Sequence, residues 1–373
     1  MPTDHFADTV AAVVTPLRLP GPGHQDPVSA MKIIHSQTHE RHHAIAEFNR
    51  GAMVDAYESP DRAQRVIQTL RERNIGPVLP PQAFGDAPLL RVHDAGFVRF
   101  LRGAYAEWKE AGRPGDALPM AWPIRDLRND RIPDCLDGRL GHYSYDVSTA
   151  ITAGTWDAVS EGADIALTTA QEVLQGERVA FGLCRPPGHH AARDYYGGYC
   201  YLNNAAIAAQ YLRDQGAERV AILDVDYHHG NGTQSIFYDR ADVLFASIHG
   251  DPATEYPYYL GYADERGRGE GEGYNLNLPL PAGTEWAQWS QALETACEAV
   301  TAFAPQYCVV SLGVDTSEDD PISRFRIKRE QFPLIGQRIA ALGLPTVILM
   351  EGGYATGGIG ENVAGVLEGF ASA

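Results

Sequence analysis

The sequence lacks the features that mark secreted, membrane-spanning and nucleic-acid-binding proteins. Its five cysteines are an odd number without a Cys-x-x-Cys pair, which favours a reducing compartment over a disulfide framework. No run approaches the roughly eighteen apolar residues of a membrane span, and the first residues lack the profile of a signal peptide. Lys and Arg total 30 against 48 Asp and Glu, and this net charge of −18 disfavours nonspecific nucleic-acid binding. We therefore expect a cytoplasmic protein that binds neither membranes nor nucleic acid and would attract a cationic substrate.

The composition is that of an ordinary globular protein. Hydrophobic residues make up 44% and charged residues 21% of the 373 residues, enough for one large domain or two medium ones. Residues 1–30 include a Pro/Gly-rich stretch without periodicity, so we predict an N-terminal extension, ordered or disordered, before a folded domain over 31–373. Residues 105–145 form an irregular segment with scattered prolines, which we expect to cover a pocket or a subunit interface.

Short apolar runs alternate with helical segments along the domain. This alternation is typical of βαβ units, and the almost wholly apolar runs indicate strands of a parallel sheet covered on both faces. Asn203 is a predicted helix N-cap and Gly216 marks the end of that helix. The five runs that matter most are Val179–Cys184, Val220–Val225, Val243–Ile248, Tyr307–Leu312 and Thr346–Met350.

Polar residues follow each of these five runs. Open α/β sheets place their ligand crevice outside the carboxyl ends of the strands, so we expect these residues to meet in one pocket. The segments are Pro186-Pro-Gly-His-His190, Asp226-Tyr-His-His229, His249-Gly-Asp251, Gly313-Val-Asp315 and Glu351-Gly-Gly-Tyr354.

Three of these residues suit a catalytic metal ion. Period-two geometry points Asp226 and His228 to the same side as the chain leaves its strand, and Asp315 supplies a third ligand. Two carboxylates and an imidazole suit zinc or a related divalent transition metal, and three protein ligands leave positions open for water and substrate. The alternative interpretation is a polar loop, and we expect His229 to be structural.

The other strand-end residues suit proton transfer and oxyanion stabilisation. His189 and His190 are candidates for moving protons, with Asp224 orienting His189 and Asn231 holding His190. The phenol of Tyr354 follows two glycines that let the backbone turn tightly, and it could stabilise a developing oxyanion. Adjacent histidines after a loop are also often only hydrogen-bonded, and a tyrosine after glycines is often only packed.

The motifs that carry these residues resemble the zinc-dependent histone deacetylase superfamily. The resemblance runs from about residue 31 to the end of the chain and is strongest to the bacterial acetylpolyamine amidohydrolases. The superfamily motifs are Arg185-Pro-Pro-Gly-His-His-Ala191, Gly197-Gly-Tyr-Cys-Tyr-Leu-Asn-Asn204, Asp224-Val-Asp-Tyr-His-His-Gly-Asn-Gly232 and Glu351-Gly-Gly-Tyr354.

The resemblance implies an arginase-deacetylase α/β fold, with a central, mostly parallel sheet and the active site at the carboxyl ends of its strands. It implies zinc, with Fe²⁺ or Co²⁺ as alternatives, on Asp226, His228 and Asp315, and structural K⁺ near Asp224 and Ser247. It also implies that residues 105–145 help to form a homodimer. The residues implied to contact substrate are Tyr199, Tyr258, Tyr259, Gly198, Glu47 and Asp137.

Two of those residues are acids that the resemblance places toward the distant ammonium group of a polyamine, Glu47 and Asp137. A relative has the longer glutamate at the position of Asp137. Each acid could equally be a solvated surface residue.

We therefore expect a deacetylase-type hydrolase of linear amides that acts on acetylated polyamines or related small acylated amines and releases acetate. Two alternatives remain open from the sequence. One is a deacetylase of acetyl-lysine in proteins or peptides, which shares the chemistry. The other is an inactive module that binds acetylated amines.

Overall fold

The apolar runs of the sequence form a parallel sheet in the computed structural model, which describes residues 30–373. Eight strands pair in the order β4-β1-β5-β10-β9-β6-β7-β8, and every pairing is parallel. A separate two-stranded sheet joins β2 and β3. The strands are β1 Lys32–Ile34, β2 Ala46–Asn49, β3 Ala52–Asp55, β4 Val78–Leu79, β5 Val179–Gly182, β6 Val220–Asp224, β7 Val243–Gly250, β8 Asn275–Leu280, β9 Tyr307–Leu312 and β10 Thr346–Met350.

Alternate residues of the central strands pack into two hydrophobic layers. Ile222 packs with the helices on one face of the sheet and Leu223 with those on the other, as the two-residue period of a strand requires. The predicted α/β class with a parallel sheet is therefore confirmed, and the five expected strands lie where the apolar runs do. Residues 1–29, which hold nearly all of the predicted N-terminal extension, lie outside the described residues.

Helices cover both faces of the sheet. The predicted cap is present, because the Asn203 side chain accepts a hydrogen bond from the amide of Ala206 at 2.9 Å. Within residues 30–373, every helix is too short or too polar to span a bilayer. The α-helices are α1 Pro60–Glu72, α2 Ala95–Glu110, α3 Leu136–Tyr143, α4 Thr155–Leu174, α5 Asn204–Asp214, α6 Asn231–Phe237, α7 Trp286–Phe303, α8 Phe332–Ala340 and α9 Ile359–Ala371. Short 3₁₀ helices occupy Gln37–Arg41, Leu89–Arg91, Gly269–Gly271 and Arg329–Gln331.

The segment expected to be irregular, residues 105–145, is partly helical. Its first residues complete α2, which ends at Glu110, and α3 lies near its other end. The prolines at 114, 119, 123 and 133 fall between these helices, because proline lacks the amide donor that a helix interior needs. The stretch between the helices leaves Met120, Ile124, Leu127 and Ile132 at least half exposed.

The two-stranded sheet is a feature that the sequence pattern did not predict. Antiparallel pairing of Asn49 with Ala52 leaves Arg50 and Gly51 as the turn, with φ of 47° and 88°. Both turn residues are left-handed, as a type I′ hairpin turn requires, and glycine adopts this conformation without steric cost. The hairpin lies apart from the central sheet and forms one wall of the cavity described next.

Candidate active site

Three buried ligand-type residues converge at the carboxyl ends of β6 and β9. These strands are neighbours, with Asp224 in register with Ser311, so the segments that leave them lie side by side. One ligand atom from each of Asp226, His228 and Asp315 lies within 4.8 Å of those of the other two. The distance from His228 Nδ1 to Asp315 Oδ2 is 2.9 Å. The structure therefore brings together the three residues that the sequence singled out as metal ligands.

The surroundings of this trio leave no room for larger residues. A Cβ added at Gly313 would lie 2.0 Å from Asp226 Oδ2, and one at Gly352 would lie within 3 Å of both carboxylates. Glycine at both positions lets the backbone close around two buried negative charges. Two carboxylates and an imidazole facing one point in a buried site fit a divalent cation.

The electrostatics of the trio also favour a positive charge. Burial opposes the charged form of His228, but hydrogen bonding to Asp226 and Asp315 outweighs it and raises the pKa of His228 to about 10. Burial and the neighbouring Asp226 raise the pKa of Asp315 to about 7. The site thus draws in a positive charge, which a bound cation supplies without protonating the ligands.

The tandem histidines lie beside the trio at the end of β5. His189 Nδ1 contacts Asp224 Oδ2 at 3.0 Å, and His190 Nδ1 contacts Asn231 Oδ1 at 2.6 Å. Because both acceptors are oxygens, each Nδ1 carries a proton and donates it, and in a neutral His190 this leaves Nε2 as a proton acceptor. The sequence-predicted partners of both histidines are therefore in contact with them.

The two imidazoles differ in their proton affinity. Burial lowers the pKa of His189, but Asp226 and Asp224 outweigh it and raise that pKa to about 10. Burial, assisted by His189 and His228, lowers the pKa of His190 well below its usual value. Paired groups whose pKa values are pushed apart are typical of acid and base roles, and the neutral His190 suits a base.

Tyr354 faces the same space from the end of β10. Gly353 before it has a φ of 129°, a left-handed conformation that favours glycine and turns the chain sharply. Arg62 donates from Nε to the carbonyl of Gly353 at 2.6 Å, and its guanidinium lies 4.7 Å from the centroid of the Tyr354 ring. Burial raises the pKa of Tyr354 well above its usual value, against the opposing charge of Arg62, so the phenol is protonated and can donate a hydrogen bond.

These side chains open onto one cavity of about 650 Å³. His190, His228 and Tyr354 all line it, so the cavity joins the histidines, the trio and the phenol. Its other lining residues are Glu47, Phe48, Asn49, Arg50, Ala52, Val54, Tyr57, Ser148, Gly198, Tyr199, Glu255, Tyr256, Tyr258, Pro321, Ile322, Ser323 and Arg324.

The residues expected to contact substrate fall into two groups. Glu47, Gly198, Tyr199 and Tyr258 line the cavity. Tyr259 is 88% exposed and is not among the lining residues.

Asp137 also lies away from the cavity lining. It is on α3, where its carboxylate forms an ion pair with Arg113, with 2.7 Å between Arg113 Nη2 and Asp137 Oδ2. Within the part of the chain that the structure describes, Asp137 is thus held by a neighbour and not presented to the cavity.

The residues implied to hold K⁺ lie side by side. Asp224 and Ser247 are register partners on β6 and β7, and both are fully buried. Ser247 Oγ contacts His249 Nδ1 at 2.8 Å, and Asp224 Oδ1 accepts the amide of Asp226 at 3.1 Å.

Two residues that shape the site, Tyr256 and Arg62, were not predicted from the sequence. Tyr256 lies with its ring 5.3 Å from that of His190, and the Tyr256 hydroxyl donates to Asp146 at 2.8 Å. In the sequence, Tyr256 belongs to a cluster of tyrosines around Pro257. Such a cluster by itself predicts only the rim of a pocket. Arg62 gave no local signal, since its contact with Gly353 joins residues almost three hundred positions apart.

Comparisons with known proteins confirm the predicted fold. A model of the histone deacetylase domain matches residues 56–370. Acetylpolyamine amidohydrolase 2 of Pseudomonas aeruginosa is 55% identical over 340 residues, covering 91% of this chain and 98% of that protein. Acetylpolyamine amidohydrolase of Mycoplana ramosa is 46% identical over 91% of this chain and 100% of that protein. The crystal structure of acetylpolyamine aminohydrolase from Burkholderia pseudomallei superposes with a TM-score of 0.86 at 41% identity, covering 91% of this chain and 98% of that one.

Proposed function

Because the chain belongs to the histone deacetylase family, we propose that it is an amidohydrolase that removes the acetyl group from acetylated polyamines. The observation that carries this proposal is the convergence of His190, His228 and Tyr354 on one cavity. A binding module has little need for a base, a ligand trio and an oxyanion donor in the same space.

The family implies a divalent metal, and we propose zinc on Asp226, His228 and Asp315, with Fe²⁺ or Co²⁺ as alternatives. When bound there, the ion would polarise the amide carbonyl and lower the pKa of a water molecule.

Residues of the chain supply proton transfer and oxyanion stabilisation. His190 accepts the proton of the attacking water at Nε2, while its Nδ1–H stays bonded to Asn231. The Tyr354 hydroxyl donates a hydrogen bond to the carbonyl oxygen as negative charge develops on it. When the C–N bond breaks, the tandem histidines return a proton to the amine nitrogen, so that the products are a free amine and acetate.

The cavity walls support a narrow, flexible, cationic substrate. Tyr199, Tyr256 and Tyr258 present aromatic rings suited to a methylene chain and an ammonium group. The carboxyl group of Glu47, 3% exposed, lines the same cavity and attracts an ammonium group when it is ionised. The net charge of −18 adds a long-range attraction for cations.

Turnover of acetylputrescine, acetylcadaverine, acetylspermine and an acetyl-lysine peptide, measured with metal content, tests the substrate. We expect the acetylated polyamines to have the highest kcat/KM. Preference for the peptide would replace the polyamine assignment with acetyl-lysine deacetylation. Binding of acetylated amines without acetate release, even after zinc reconstitution, would show a binding module instead.

We also propose structural K⁺ near Asp224 and Ser247. Its support is the pairing of a buried carboxylate and a buried hydroxyl on adjacent strands. Thermal unfolding in KCl against a tetramethylammonium salt at equal ionic strength tests it, and we expect a higher Tm in KCl.

We propose a cytoplasmic homodimer. Free cysteines at all five positions support a reducing compartment, and subcellular fractionation tests that location. The exposed side chains of Met120, Ile124, Leu127 and Ile132 support an interface formed by residues 105–145. Light scattering of the parent protein and of Ile124→Glu tests the dimer, and we expect the variant to shift toward monomer.

A further inference from the structure

We infer that the buried side chain of Glu351 is a positioning residue that fixes two catalytic turns relative to each other. The histidine turn is residues 186–190, and the tyrosine turn is residues 351–354. This inference rests on the proposed function, because it assigns a role within the same site.

Glu351 reaches from one turn to the other. It lies directly after β10 and is fully buried. Its Oε2 accepts hydrogen bonds from the backbone amides of Gly188 at 2.6 Å and His189 at 3.1 Å. Because β5 and β10 are adjacent strands, one glutamate side chain spans the distance between the segments that leave them.

The tyrosine turn is itself braced on its own side. Arg62 donates to the carbonyls of Glu351 and Gly353, both at 2.6 Å. The amide of Gly352 donates to Asp226 Oδ2 at 2.8 Å, and the amide of Tyr354 donates to Asp320 Oδ2 at 2.7 Å. The Glu351 carboxylate therefore ties the histidine turn to a segment that already holds the phenol and one of the trio.

A rival interpretation is a second cation site, because Glu351, His189 and Cys200 have ligand-type atoms within 4.8 Å of one another. The contacts favour positioning. The Nδ1 of His189 is engaged by Asp224, and Glu351 Oε2 accepts two amide protons. Cys200 Sγ donates to the carbonyl of Gly198 at 3.3 Å, so it retains its proton.

The inferred role is geometric, and it depends on the length of the side chain. Misplacement of a catalytic group by about 1 Å can cost about 10²-fold in rate. Glu351→Gln keeps the length and one acceptor oxygen but removes the charge. Glu351→Asp keeps the charge but is one methylene shorter and falls short of both amides. Comparing these two variants separates the effect of side-chain length on kcat from the effect of charge.

Steady-state kinetics of the zinc-loaded, full-length variants on acetylputrescine give the first test. We expect Glu351→Asp and Glu351→Ala to lower kcat by about 10²-fold with little change in KM, because orientation is lost and not substrate binding. We expect Glu351→Gln to recover most of that loss. Parent-like kcat in Glu351→Asp, or Glu351→Gln no more active than Glu351→Ala, overturns the inference.

Hydrogen exchange gives a second test that needs no turnover. In the parent, we expect the amides of Gly188 and His189 to be protected; in Glu351→Asp they exchange faster, while Glu351→Gln resembles the parent. Unchanged protection in Glu351→Asp contradicts the inference even if the protein hydrolyses no acetylated amine. Absence of hydrolysis in the parent, with the exchange pattern as expected, refutes the proposed function alone.

A double-mutant cycle with His190→Ala tests whether Glu351 acts through the histidine turn. Residues that act as a unit are non-additive, so Glu351→Asp should cost little further activity once His190 is absent. Full additivity contradicts the inference. Glu172→Gln is the matched control, since Glu172 is a mostly buried acid on α4 that pairs with Lys32 at 2.6 Å. It should leave kcat and the exchange of the histidine turn unchanged.

Discussion

The hydroxyl of Tyr199 donates a hydrogen bond to Glu47 Oε1 at 2.8 Å inside the cavity. Burial raises the pKa of Glu47 to about 7, although the hydrogen bonds from Tyr199 and the Tyr57 amide oppose that rise. The acid that faces the substrate space is therefore protonated in part of the molecules at neutral pH.

This pKa predicts a pH-dependent KM. A carboxylate attracts an ammonium group only when it is ionised, so KM for acetylputrescine should fall as pH rises through about 7. N-acetylbutylamine, which has the same acetamide without the ammonium, should show no such fall. Glu47→Gln should remove the fall for acetylputrescine, and its persistence in this variant would contradict the role of Glu47.

The phenol of Tyr354 should contribute to kcat and not to folding. Its hydroxyl is the proposed oxyanion donor, and loss of one such donor typically costs about 10²- to 10³-fold in kcat. Tyr354→Phe should show this loss with an unchanged Tm. Tyr274→Phe, a control at a tyrosine that packs away from the cavity against Phe303, should keep parent activity. Near-normal turnover in Tyr354→Phe would contradict the proposed mechanism.

Activity should be equally sensitive to replacement of the proposed base, His190. His190→Ala removes the proposed proton acceptor, so kcat should fall by about 10²- to 10⁴-fold while the far-UV circular dichroism stays that of the parent. If the folded variant hydrolyses acetylputrescine at a parent-like rate, another group takes the proton.

The zinc content of the protein should depend on Asp226, His228 and Asp315. Asp315→Asn removes one carboxylate, so the purified protein should hold less zinc and release less acetate. Chelation of the parent should abolish turnover, and added zinc should restore it. Asp239→Asn, which breaks only an exposed pair with Arg268, should retain parent metal content. Full zinc occupancy in Asp315→Asn, measured by mass spectrometry, would remove Asp315 from the ligand set.

A buried ion cluster beneath the catalytic turns should dominate local stability. Glu58 pairs with Arg185 at 2.9 Å and with Arg62 at 2.8 Å, and all three are at most 3% exposed. Glu58→Ala leaves buried cations unpaired, so we expect a loss of about 3–5 kcal/mol in the free energy of unfolding. Glu294→Ala, which breaks an exposed pair with Arg338, should cost at most about 1 kcal/mol.

The same cluster should respond to acid. Burial raises the pKa of Glu58, but Arg185 and Arg62 outweigh it and lower that pKa to about 2, against an ordinary 4.5. The unfolded chain therefore binds the proton more readily, so the stabilisation is complete above pH 4.5 and is lost as pH falls toward 2. Denaturant unfolding at several pH values checks this, and Glu58→Ala should have a shallower acid dependence than the parent.

The strand ends explain why the sequence predicted so much of the site. An apolar run such as Val220–Asp224 specifies a buried strand, and the polar residues after it specify where the crevice lies. Fold class and the proximity of Asp226, His228 and Asp315 therefore follow from local pattern plus the geometry of parallel sheets. Partners such as Arg62 and Gly353 do not, because their contact depends on the packing of α1 against a distant turn.

Glu47 and Asp137 show the same limit of prediction from the sequence. Glu47 and Asp137 were alike in sequence, since both were acids assigned by resemblance to the ammonium end of the substrate. The structure places Glu47 in the cavity wall because it lies on β2, and residues of the β2–β3 hairpin line the cavity. Asp137 pairs with Arg113, which precedes it by 24 residues, and no local signal distinguishes a paired acid from a presented one.

The hairpin of β2 and β3 separates part of the cavity wall from the sheet that carries the residues proposed to hydrolyse the amide. The groups proposed to break the amide bond are anchored to the eight-stranded sheet, whereas one whole wall of the cavity is a small ribbon paired only with itself within residues 30–373. Substitutions in that ribbon change the shape and charge met by an incoming amine while leaving the strands that carry the hydrolytic groups unaltered in sequence. Substrate preference can thus be altered through the ribbon while the residues proposed to hydrolyse the amide are kept.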